Sequence, residues 1–125
     1  MDIRTTLDPD TWKSELYTQR HNHPQQKVVY IAGRITGKPE YWEDFAEAAG
    51  DIEEMGHIAL NPADLPEGMT NQMYMQICMS MIDCADVVLF LPGWELSQGA
   101  KVEHAYCVYV DKPCAYTGEQ LEALL

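Results

Sequence analysis

KVVYIAGRITGKP, residues 27–39, decides the architecture. From Val28 to Ala32 the run is apolar without alternation. A strand with one face in water alternates polar and apolar residues, so an unbroken run belongs to a strand covered on both sides. Gly33 and Gly37 mark a turn directly after it, and Pro39 suits the first turn of a following helix, where its missing N–H costs nothing.

The same unit repeats outward from there. YWEDFAEAAGDIEEMG places Trp42, Phe45, Ala49 and Ile52 at helical spacing. HIALNPADLP reads as a short second strand running into a proline-broken loop. Thr70 caps a helix to about Ile82, and ADVVLFL is a third strand. A further helix starts at Ser97, PCAY is a fourth strand, and Thr117 to Gln120 match a capping box before a short last helix. Strand and helix alternating with apolar strands implies an α/β fold: a flavodoxin- or Rossmann-like parallel sheet of four to five strands, helices on both faces. Right-handed crossovers favour the strand order 2-1-3-4. Residues 27–125 form this domain. Residues 1–26 read as an N-terminal arm, with a helix start at Asp8-Pro9-Asp10, Trp12 and Leu16 on one face, and a polar linker RHNHPQQ.

Charge and composition narrow the partners. The 125 residues carry 20 acidic against 8 basic side chains, a net charge of -12. A nucleic-acid polymer is therefore not an expected partner. The acids between Glu40 and Glu54 occur without one Lys or Arg and read as a solvated helix face. No apolar stretch is long enough to span a membrane and no signal peptide is legible. Four cysteines without C-x-x-C spacing fit a reduced, cytoplasmic protein.

In a sheet of order 2-1-3-4 the ligand crevice opens beyond the carboxyl ends of the first and third strands. The loops there are GRITGK and LPGWELSQGAKVE. The first lacks the spacing and the Ser or Thr of a triphosphate-binding loop, and the dinucleotide fingerprint is absent, so neither of those cofactors is implied, nor is a metal. Gly33 either serves a tight turn or admits a ligand to the backbone, with Arg34 as a rare positive charge beside it. In the second loop Ser97 is a favourable N-cap, and the amides at Gly99 and Ala100 begin a helix whose positive end faces the crevice. Gly99 and Glu103, four apart, stack on one face. Tyr30 and Trp94 are candidates to stack on a base, with core or loop packing as the plain alternative for each.

Y-I-A-G-x-I-T-G after the first strand, N-P-A after the second, C-A-D-V-V-L-F-L-P-G-W and then S-x-G-A-x-x-E together resemble the nucleoside 2-deoxyribosyltransferase-like superfamily. The likeness spans about residues 28–116 and is nearest to a branch of small proteins common in phage and prophage genes. It implies that Glu103 is a nucleophile toward the anomeric carbon of a 2-deoxyribosyl group. By analogy with relatives that hydrolyse deoxynucleoside monophosphates, Ser97 lies at a phosphate. The implied ligand is a small nucleoside or nucleotide, cleaved or exchanged at its N-glycosidic bond, or else bound without turnover. Arg34 stands where that branch usually has proline. The aspartate that those hydrolases carry in the helix before the third strand has no match among Met75, Gln76, Ile77 and Cys78. That helix is apolar nearly all round, with Met73, Met75, Met79 and Met81 on more than one face, which implies a homo-oligomer.

Overall fold

The computed structural model describes residues 26–125, so the arm expected at residues 1–26, apart from Gln26, lies outside the described residues. The described chain alternates strand and helix: β1 (Val28–Ala32), α1 (Tyr41–Glu54), β2 (Ile58–Leu60), α2 (Asn71–Cys84), β3 (Val87–Phe90), α3 (Gln98–Tyr109), β4 (Cys114–Ala115) and α4 (Gly118–Leu124). The strands form one four-stranded sheet in the order β2-β1-β3-β4, every neighbouring pair parallel. Tyr30 lies opposite Leu60 on one side and Val88 on the other. Among the described residues no helix is long and apolar enough to cross a membrane.

Period-two alternation splits the strand side chains between two cores. Val29, Ile31, Val87 and Leu89 pack with Phe45, Ala48 and Ile52 of α1 and Leu121 of α4. Tyr30, Ala32, Val88 and Phe90 pack with Cys78 and Ile82 of α2 and Cys107 of α3. Each large side chain withdrawn from water this way contributes about 1.5–3 kcal/mol. The two faces also fix the crevice. The connection after β1 goes to one face and the connection after β3 to the other, so the switch point lies between these adjacent strands.

The capping signals resolve as hydrogen bonds. Thr70 Oγ1 accepts from Met73 N–H at 3.2 Å, and α2 runs to Cys84, one half-turn past the expected end at Ile82. Thr117 Oγ1 accepts from Gln120 N–H at 3.1 Å, while Gln120 Oε1 reaches back to Tyr116 N–H at 2.8 Å. Two details of α1 differ from the sequence reading. Its buried stripe is Phe45, Ala48 and Ile52, with Trp42 56% exposed; at this end of the helix Tyr41 packs edge-on against Phe45 instead. Pro39 precedes the helix, because Tyr41 N–H bonds back to Lys38 O and closes a turn first. The acidic residues of this segment are exposed except Asp44, which is half-buried and pairs with Lys38.

Candidate functional site

The two loops that the topology predicts to be neighbours are neighbours. Leu91 N–H donates to Ala32 O at 2.8 Å, extending the β1–β3 ladder into the loops. A Cβ at Gly33 would lie 3.2 Å from Phe45 Cζ and 3.3 Å from Leu91 Cβ. A side chain there would press on both, so Gly33 lets the loop lie close on the α1 face. Arg34 turns back on its own loop, its Nε donating to Thr36 O at 3.4 Å. It lines a cavity of about 660 Å³ between α1, α4 and the ends of β3 and β4. Glu103 is not part of that cavity's wall.

Glu103 sits on the opposite face of the sheet. After β3 the chain makes a left-handed residue at Gly93 (φ 88°), one 3-10 turn at Trp94–Leu96, and then α3. Ser97 Oγ accepts from Ala100 N–H at 3.1 Å, which anchors the first turn. Ser97 O accepts from Lys101 N–H, leaving the amides of Gln98 and Gly99 as helix-end donors without an intrahelical acceptor. The sheet-facing stripe of α3 is Ala100, Glu103 and Cys107. A carboxyl group therefore occupies a position whose register demands an apolar side chain.

Its surroundings follow from that register. Glu103 is only 7% exposed. Tyr30 of the central strand, whose hydroxyl favours the charged form of the carboxyl, and Cys78 of α2 share the core on this face. Glu103 Oε2 is buried and has no hydrogen-bond partner. Burial pushes the carboxyl pKa from 4.5 up to about 7, and the Tyr30 hydroxyl only partly opposes this. Helix position alone suggests an ionised carboxylate, but desolvation outweighs the dipole here. Tyr30 is wholly buried and its own pKa is driven upward, first by burial and then by the charge of Glu103.

The residues singled out in the sequence thus divide into groups. Glu103, Tyr30 and the α3 cap formed by Ser97, Gly99 and Ala100 lie on the α2–α3 side. Gly33 and Arg34 serve the α1 side. Tyr30 offers the site its hydroxyl, its ring being enclosed. The Trp94 ring is tilted against His104 and Phe90, with centroids 4.3 Å and 5.1 Å away, and His104 Nε2 is 2.7 Å from the Tyr116 hydroxyl. Met75 lies over the cap, with Cε 3.7 Å from where a Gly99 Cβ would be. That is ordinary contact, so packing alone does not require glycine at residue 99. The place of Cys78 in the core with Tyr30 is not assigned by the sequence; its only signal is a position on the inner stripe of α2 with Ile82. Among the described residues no cluster of three His, Cys, Asp or Glu side chains could hold a metal ion.

An all-parallel four-stranded sheet in the order β2-β1-β3-β4, with helices on both faces and a buried carboxyl at Glu103, defines an α/β protein of Rossmann-like architecture. The chain belongs to the family described as Domain of unknown function (DUF4406), whose sequence model matches residues 27–116. No curated protein and no solved structure matches it.

Proposed function

We propose that this protein cleaves or exchanges the N-glycosidic bond of a deoxynucleoside or deoxynucleoside monophosphate, with Glu103 as the nucleophile. The observation that carries the reading is the Glu103 carboxyl, buried in the inner stripe of α3 with Oε2 unpartnered and Tyr30 behind it. An unsatisfied buried oxygen is costly and is retained where a ligand completes it. The resemblance to the deoxyribosyltransferase-like superfamily supports the same role for this residue.

In this reading a Glu103 oxygen attacks the anomeric carbon while the carbon–nitrogen bond breaks and the base departs with its electrons. The resulting glycosyl ester is then opened by water or by a second base. Tyr30 donates to the carboxylate and holds it in one orientation. The low-polarity setting that raises its pKa leaves the ionised form poorly solvated and reactive. A substrate phosphate takes the Gln98 and Gly99 amides and the Ser97 hydroxyl at the positive end of α3. Incubation with a panel of nucleosides and monophosphates, followed by chromatography for free base, tests the proposal. No base released by any member refutes it.

A second reading, a nucleotide-binding module without turnover, is favoured by Met75 and Cys78, which give α2 no carboxylate at this site. Ligand-induced thermal stabilisation with no base release is its signature. Both readings include self-association. Met73 (50% exposed) and Ile77 (36%) on α2 and Val102 on α3 leave apolar side chains on an outer surface poor in charge, and a chain of net charge -12 repels its copies elsewhere.

A further inference from the structure

On the α1 face of the sheet, the cavity of about 660 Å³ separates α1, of 14 residues, from α4, of 7. It runs from Arg34 and Leu91, at the carboxyl ends of the strands, down to Met55 beside the last turn of α1. Phe45, Ile52, Leu89 and Leu121 give it an apolar floor. Glu47 and Asp51, one turn apart on α1, line one wall. Among the described residues neither has a cationic partner; on that wall only Asp44 is paired, to Lys38.

The chain enters the domain at the foot of this gap. Gln26 Nε2 donates to Gly56 O, just past the end of α1, and Lys27 Nζ donates to Leu124 O, at the end of α4. Residues 1–25 therefore lead away from a point between the two walls. They carry three of the eight basic side chains and four of the 20 acidic ones, so most of the negative charge belongs to the domain they join.

We propose that the segment Asp8–Arg20 lies in this gap as an amphipathic helix, Trp12 and Leu16 on the apolar floor and Lys13 and Arg20 against Glu47 and Asp51. Chain order fixes its direction: Arg20 is nearest the foot, and Asp8 and Asp10 reach the end that holds Arg34. Handedness fixes its flanks. Seen from the N-terminus, a right-handed helix turns clockwise by about 100° per residue, which puts Lys13 and Arg20 about 80–100° clockwise of Trp12. A right-handed β1–α1–β2 connection places α1 on the clockwise side of the gap in the same view. The cations thus face the acidic wall, while Asp8 and Glu15 turn away from it. Length agrees as well. Twelve or thirteen helical residues span about 18–20 Å against about 21 Å for α1, and residues 21–25 bridge up to about 17 Å. The tether holds the segment at an effective concentration on the order of millimolar, an advantage that no diffusible occupant of the gap has.

The test uses the full chain with p-benzoylphenylalanine in place of Trp12. Unlabelled and heavy-nitrogen-labelled protein are refolded together as an equal mixture and irradiated, and the joined peptides are identified by mass spectrometry. The expected result is crosslinks to α1 or α4 within one isotope class. Crosslinks that join the two classes place a second copy in the gap and overturn the proposal, as do crosslinks to α2 or α3, or none to the domain. In the otherwise unaltered chain, Leu16→Asp should speed amide exchange in α4 about tenfold. Lys13→Glu should speed it about threefold, and Glu47→Lys in the same chain should restore it by reversing the pair. Exchange in α4 that Leu16→Asp leaves unchanged, or a Lys13→Glu effect that Glu47→Lys does not reverse, also overturns the proposal.

Discussion

Replacing Glu103 with Gln should make the protein more stable, and increasingly so as pH rises. The folded-state pKa is about 7 against an ordinary value of 4.5, because the charged form is desolvated. A carboxyl whose pKa is raised by folding holds its proton more tightly in the native state. Its stabilising contribution is complete below about pH 4.5 and is lost as pH climbs through about 7. The gap, near 2.5 pKa units at about 1.4 kcal/mol each, corresponds to about 3 kcal/mol between those limits. Glutamine keeps the shape and an acceptor for Tyr30 but has no charge to desolvate. The stability difference between variant and parent should therefore grow by about 3 kcal/mol from acid to mildly alkaline pH, or roughly 10–20 °C in Tm for a domain of this size. Urea denaturation at about pH 5 and about pH 8 reads this directly, and the subtraction removes every other titrating group. Parallel pH profiles for the two proteins would show that Glu103 is not desolvated as argued. The same substitution should abolish base release by several orders of magnitude, so stability and activity move in opposite directions.

Tyr30→Phe removes the hydroxyl that opposes burial, so the Glu103 pKa should rise further and the acid limb of the pH–rate profile should shift to higher pH; an unmoved limb removes Tyr30 from the site. Ser97→Ala should cost about 1 kcal/mol of stability through loss of the α3 cap, measured by denaturation. It should also narrow the affinity gap between a monophosphate and its nucleoside in calorimetric titrations, and equal parent affinities for the two would refute phosphate binding at this helix end. Light scattering should give a multiple of the chain mass at micromolar concentration, and Ile77→Glu should return it to one chain. A parent that scatters as a monomer ends the assembly argument.

What the sequence determined is what depends on neighbours along the chain. Strand runs, the Thr70, Ser97 and Thr117 caps and the alternation of β and α are local, and with right-handed crossovers they leave the order 2-1-3-4 as the natural choice. The resemblance carried by S-x-G-A-x-x-E likewise points to Glu103 from a few adjacent letters. Burial of that carboxyl was not legible, because Ala100, Glu103 and Cys107 become a buried stripe only when α3 lies on the sheet. Tyr30 offers a hydroxyl rather than a ring face because the pleat turns residue 30 toward α2 and α3, while Gly33 is claimed by Phe45 and Leu91 on the other side. These are meetings between faces, and the face to which a side chain points is settled by register between elements, which no single stretch of sequence contains.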